Sequence, residues 1–124
     1  AGAIAMRPKC IVFDEPTAML DPKGRHQVMD IIHRLHEAGI TVILITHFME
    51  EAMQAERLIV MKDGRITDDT PPRDFFADRE RIQRAGLEMP AIIALREELV
   101  RLGLPVDASV QTEEELIEAI CQLQ

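Results

Sequence analysis

The sequence predicts an α/β fold that combines parallel strands, a β-hairpin and a helical C-terminal extension. Two short apolar runs, both rich in β-branched residues, are separated by one helical pattern, which is typical of a parallel crossover unit. A third apolar run leads into a tight-turn signal, and helical patterns fill the rest of the chain.

Composition limits the possible classes of protein. The 124 residues are enough for one modest domain, and a hydrophobic content of 47% supports a packed core. The formal net charge of −8 and the absence of Trp and Tyr argue against nucleic acid as a direct partner. No apolar run is long enough to span a membrane.

The first half of the chain contains the crossover unit. Residues 11–13 predict a strand that is buried on both faces, because they are continuously apolar. Asp21-Pro22 predicts the N-cap and first position of a helix over residues 23–38, and Gly39 predicts its end. Residues 40–45 predict a second buried strand.

The remaining elements follow from turn and capping signals. A short helix is predicted after His47, a third strand over residues 58–61, and a tight turn over residues 62–65 that returns the chain at Ile66. Thr70-Pro71-Pro72 predicts a boundary between a domain of residues 1–70 and a helical extension of residues 71–124. The extension is predicted to hold three helices, over residues 73–85, 91–102 and 113–123.

Polar residues follow both strands of the crossover unit. Asp14 and Glu15 come directly after the first strand, and His47 follows the second. The carboxyl ends of parallel strands meet at one edge of a sheet, so these side chains are expected to converge there. Adjacent residues of a strand point in different directions, which suits one acid to a cation and the other to a water molecule. A strand-end turn whose acids face solvent or cap a neighbouring helix is the simpler alternative for the pair alone.

Three longer segments of the sequence resemble segments of one protein family. The segment "CIVFDEPTAMLDP", from Cys10 to Pro22, resembles the Walker B segment and D-loop of ABC-type ATPases. The segment "ILITHFMEEA", from Ile43 to Ala52, resembles the switch-histidine segment of the same family, and "AERLIVMKDGRI" resembles the strand and hairpin that follow it. The resemblance implies the C-terminal half of a P-loop NTPase domain.

The resemblance also implies roles at matching positions. Asp14 would hold Mg²⁺ through water, and Glu15 would orient and deprotonate the water that attacks ATP. His47 would contact the γ-phosphate and keep Glu15 aligned. Asp21 lies in the loop that touches the opposite subunit across the ATP sandwich in this family. ATP and Mg²⁺ are the implied cofactors.

The chain past Thr70 is similar to the C-terminal extension of energy-coupling factor transporter ATPases, which serve cobalt, nickel and vitamin importers. It contains a turn similar to G-T-P-R, a "GLEMP" segment and a final amphipathic helix. The resemblance implies a peripheral protein on the cytoplasmic face of a prokaryotic membrane. Its partners would be integral membrane transport components and a second ATPase subunit, identical or different.

The chain lacks the phosphate-binding loop of this family, G-x-x-x-x-G-K-[ST], and its L-S-G-G-Q signature. It begins without an initiator Met, in a pattern that predicts the end of a helix, so we expect a fragment that neither binds ATP tightly nor hydrolyses it alone. Two alternatives stay open: a soluble ABC-type ATPase of DNA repair or translation, and an isolated dimerisation or regulatory module. The transported substrate does not follow from the sequence.

Overall fold

The computed structural model describes residues 8–123, and the chain divides between His47 and Phe48 into two compact units. The predicted helix end in residues 1–6 lies outside the described residues. We call the part that ends at His47 the first unit and the part that begins at Phe48 the second unit. The predicted boundary after Thr70 stays a prediction.

The first unit contains the crossover that the sequence predicts. Strand β1 (Cys10–Asp14) pairs in parallel with β2 (Thr41–Ile45), and helix α1 (Pro22–Glu37) connects them. The register places Asp14 opposite Ile45, so the two strands end at the same level. Both strands and the parallel pairing are confirmed.

Helix α1 begins and ends where its capping residues predict. The side chain of Asp21 accepts a hydrogen bond from the backbone N–H of Gly24 at 2.8 Å, and Pro22 occupies the first helical position. Gly39 follows the helix with φ of +92°, a backbone conformation that glycine adopts without steric cost. The chain can therefore turn directly into β2.

The prediction that β1 and β2 are buried on both faces is wrong. Ile11 is 7% exposed, whereas Val12, Ile43 and Ile45 are 57%, 48% and 48% exposed. Side chains alternate along a strand, and helix α1 contacts the sheet in the described part of this unit, so one face is covered and the other faces solvent. We call Val12, Ile43 and Ile45 the open sheet face.

The second unit begins with a short helix, α2 (Met49–Ala52), and a β-hairpin. Strands β3 (Leu58–Lys62) and β4 (Arg65–Thr70) pair antiparallel, as predicted. Asp63 and Gly64 connect them with φ of 51° and 73°. Two consecutive positive φ values are typical of a type I′ turn, whose twist matches that of the strands on either side.

The helix predicted over residues 73–85 is two helices. Helix α3 (Pro72–Phe76) ends before Asp78, and α4 (Arg79–Arg84) begins after it. Asp78 accepts hydrogen bonds from the backbone N–H groups of Glu80 and Arg81, and thereby caps α4. A local side-chain acceptor competes with continued helix, which explains the break.

The last two helices are close to their predicted ranges. Helix α5 spans Ala91–Arg101 and α6 spans Glu113–Gln122, with Thr112 as the N-cap of α6. Two apolar clusters form the core of the second unit. The larger contains Met49, Ala52, Val60, Phe75, Phe76, Ile82 and Ile93, and the smaller contains Val106, Val110 and Leu116. Within residues 8–123, every helix is too short or too polar to cross a bilayer.

Candidate functional site

The end of β1 is joined to the end of β2 beyond the last strand pair. The backbone N–H of Glu15 donates a hydrogen bond to the carbonyl of Ile45 at 2.8 Å. Glu15 has φ of +46°, a left-handed conformation that is uncommon for residues other than glycine. The chain therefore leaves the extended conformation of the strand at Glu15.

Glu15 and His47 meet at this rim. The Nδ1 atom of His47 lies 2.8 Å from Oε1 of Glu15, which is hydrogen-bond distance. The two side chains, His47 and Glu15, remain 60% and 49% exposed. The pair is therefore preassembled and open to solvent, and a carboxylate held by an imidazole in this way can orient and deprotonate a water molecule.

Asp14 lies at the same strand end and is exposed. Its side chain alternates with that of Phe13 and shares a face with Val12. Among residues 8–123, no group of three or more His, Cys, Asp or Glu side chains is arranged to hold a metal ion. Mg²⁺ is commonly held by one or two carboxylates together with water and substrate phosphates, so a single exposed Asp14 fits a site of that kind.

Asp21 lies at the start of α1, and its carboxylate serves that helix. Its Oδ1 atom accepts a hydrogen bond from the N–H of Gly24. Asp21 thus has a partner within the first unit. Its predicted contact with an opposite subunit stays a prediction.

Sequence reasoning missed Thr17. It lies in the quoted "DEPT" stretch but received no role, and its side chain is 1% exposed in a loop whose other members are exposed or half-buried. The residue pattern gives no signal of this burial, because a polar side chain in a loop is ordinarily exposed.

The chain is similar to several known proteins, although it matches none of the models of protein families. It is 46% identical, over 125 aligned positions that cover all of it, to energy-coupling factor transporter ATP-binding protein EcfA1 of Clostridium novyi, and covers 45% of that protein. It is 54% identical over 96 residues, 77% of the chain and 35% of the relative, to EcfA1 of Caldanaerobacter subterraneus.

A solved structure is also similar. It is described as cbiO1 from Clostridium perfringens, part of the ABC transporter complex cbiONQ, with a TM-score of 0.57 and 37% sequence identity over 77% of this chain and 39% of that one. The chain therefore spans less than half the length of each of these three relatives. By sequence and by fold, the chain belongs to the ABC ATPase family and corresponds to the C-terminal part of energy-coupling factor transporter ATP-binding proteins.

Proposed function

We propose that the chain supplies the hydrolytic part of an ATP site in a longer ATP-binding subunit, and that this subunit energises import of a metal ion or vitamin. The observation that carries the proposal is the 2.8 Å contact between Glu15 and His47 at the rim where both parallel strands end. Ligands of open parallel sheets bind beyond the carboxyl ends of the strands, which supports this rim as the position of the phosphates.

The proposal assigns a role to each of the three polar residues at the rim. Glu15 accepts a proton from the attacking water, and its carboxylate is held by His47. His47 also contacts the γ-phosphate. Asp14 would hold Mg²⁺, which would supply charge compensation for the phosphate oxygens when bound.

The transport role rests on the relatives. Both EcfA1 proteins are named transporter ATP-binding proteins, and the cbiO1 structure is described as part of a transporter complex. These names favour a transporter subunit over a soluble ATPase of DNA repair or translation. In the proposal, the complete subunit lies at the cytoplasmic face of the membrane, where it pairs with a second ATPase subunit through the loop that contains Asp21 and contacts integral membrane components.

The direct test is ATP hydrolysis by a complete subunit that contains this chain. Glu15→Gln keeps the size of the side chain and removes the base, so the turnover number should fall about 10²-fold or more. His47→Gln should lower it about 10- to 100-fold, because Glu15 loses the group that holds it. Glu37→Gln and His26→Gln, both at exposed positions of α1, are matched controls that should retain activity. Full turnover by Glu15→Gln would contradict the proposal.

The 124-residue chain alone provides a second comparison. It contains the candidate base but no phosphate-binding loop, and the loop's backbone N–H groups and Lys bind the phosphates in P-loop proteins. We propose that the isolated chain binds ATP weakly and does not hydrolyse it. Isothermal titration calorimetry and a phosphate-release assay would measure both properties, and Mg²⁺-dependent turnover by the isolated chain would contradict this part of the proposal.

A further inference from the structure

The loop between β1 and α1 has one buried anchor. Thr17 is 1% exposed, whereas Met19 and Leu20 in the same loop are 96% and 42% exposed. Among the described residues, no buried side-chain oxygen or nitrogen lacks a hydrogen-bond partner, so the buried hydroxyl of Thr17 is satisfied. A buried, paired hydroxyl in an otherwise exposed loop fixes the position of the chain at that residue.

The backbone on both sides of Thr17 is tied into consecutive turns. The N–H of Ala18 donates to the carbonyl of Glu15 at 3.3 Å, and the N–H of Leu20 donates to the carbonyl of Thr17 at 3.1 Å. On the strand side, Glu15 is itself bonded to Ile45. The loop is therefore a short, internally bonded unit in which Thr17 lies two residues from Glu15.

Glu15 needs such support because of its backbone conformation. A non-glycine residue at φ of +46° persists where the surrounding structure holds it there. The bond to Ile45 fixes the N–H of Glu15 on one side. On the other side, Thr17 is the nearest buried side chain of the loop.

From these observations, we infer that Thr17 is a positioning residue: its buried hydroxyl holds the turn that keeps the carboxylate of Glu15 at hydrogen-bond distance from His47. The inference deepens the proposed hydrolytic function and rests on it for its catalytic meaning. The geometric part stands separately, since it concerns only the distance between two side chains. Thr17 does not touch the reacting atoms in this scheme and acts through Glu15.

The test compares four variants of this chain with the parent by nitrogen NMR of the His47 ring, which reports the hydrogen bond at Nδ1. Thr17→Val keeps the shape of the side chain and removes the hydroxyl, so the ring signals should move toward those of Glu15→Ala. Thr17→Ser keeps the hydroxyl and should preserve the parent signals. Thr41→Val, at an exposed position of β2, is the control for a threonine-to-valine change and should also preserve them.

A folded Thr17→Val variant with parent His47 signals would overturn the inference. If Thr17→Val does not fold, the test relies on Thr17→Ser, which retains the hydroxyl. Displaced His47 signals in a folded Thr17→Ser variant would also overturn the inference. In the complete subunit, Thr17→Val should lower the turnover number about tenfold and leave KM for ATP unchanged, with recovery in Thr17→Ser. A subunit without ATPase activity would remove the proposed function and leave the NMR result to decide the role of Thr17.

Discussion

Nδ1 of His47 lies 2.8 Å from Oε1 of Glu15, although 32 positions separate the two residues in the chain. The register of the parallel pair explains this contact, since Asp14 and Ile45 are opposite one another and each strand continues directly into the loop that carries one partner. The pair is therefore a consequence of strand alignment, and its geometry depends on the loop and helix that hold the two strands together.

The first prediction concerns the N-cap of α1. Asp21→Ala removes the acceptor for the N–H of Gly24, and loss of such a cap should lower the free energy of unfolding by about 1 kcal/mol. Urea unfolding followed by circular dichroism measures the change. Asp21→Asn should restore most of the stability, because asparagine also caps helices. Asp30→Ala, at an exposed position within α1, is the control.

The second prediction concerns a buried guanidinium. Arg96 is 5% exposed and donates hydrogen bonds to the carbonyls of Ala108 and Val110 at 2.7 Å and 3.0 Å. Arg96→Met keeps the apolar stem and leaves these carbonyls without their donor, which should cost about 2 to 3 kcal/mol of stability in the second unit.

Hydrogen exchange of the second-unit amides would measure the effect of Arg96→Met. Arg101→Met removes an exposed guanidinium that pairs with Glu98, and because solvent screens such a pair, it should destabilise the fold much less than Arg96→Met does. Equal losses from the two variants would contradict the structural role of Arg96.

The third prediction is a pH dependence. Hydrogen bonds from Arg73 hold the pKa of Glu115 below its ordinary value of 4.5. Because the folded-state pKa is lowered, the ion pair stabilises the fold above pH 4.5, and this contribution is lost as the pH falls through the lowered pKa. The pair is partly exposed, so the contribution is about 0.5 to 1 kcal/mol.

Two measurements check this dependence. Carboxyl NMR titration should show the pKa of Glu115 rising toward 4.5 in Arg73→Met. The thermal midpoints of the parent and Glu115→Gln should differ at neutral pH and converge in acid. A pKa of Glu115 that is unaffected by Arg73→Met would contradict the assignment.

The fourth prediction concerns self-association of the 124-residue chain. The open sheet face exposes Val12, Ile43 and Ile45, and such apolar surface on a short sheet favours contact with other chains. Ile43→Lys should therefore lower the mass measured by light scattering at equal concentration. Ile117→Lys is the comparison, because Ile117 is 55% exposed on α6 in the other unit.

These two variants also test the alternative that the chain is an isolated dimerisation module. If Ile117→Lys abolishes association and Ile43→Lys does not, the final helix is the contact surface and the isolated dimerisation module gains support. A parent chain that is monomeric at all concentrations would contradict both forms of association.

Much of the fold can be predicted from the sequence because the residues that begin and end its helices and turns act locally. Asp21-Pro22 and Gly39 delimit α1, and Asp63-Gly64 sets the hairpin turn. The convergence of Glu15 and His47 follows from the crossover rule, which relates elements far apart in the chain. Each of these features depends on residues whose backbone or topological preferences are strong.

Other features depend on what surrounds a residue, which the sequence pattern does not reveal. A continuous apolar run suggests a strand covered on both faces, yet Val12 is exposed because covering requires another layer of structure. The break before Asp78 reflects competition between a cap and helix continuation, and both outcomes fit the same residues. The left-handed backbone of Glu15 and the burial of Thr17 arise only when the loop closes between two strands.

The two strand pairs also differ in how far apart in the chain their members lie, and this sets the order in which they form. Strands β3 and β4 are joined by a two-residue turn and can pair within about 1 to 10 μs. Strands β1 and β2 are separated in the chain by helix α1, and we expect such distant parallel pairing to be slower. We therefore expect the His47–Glu15 hydrogen bond to form after the hairpin, because it requires two segments that lie 32 positions apart in the chain.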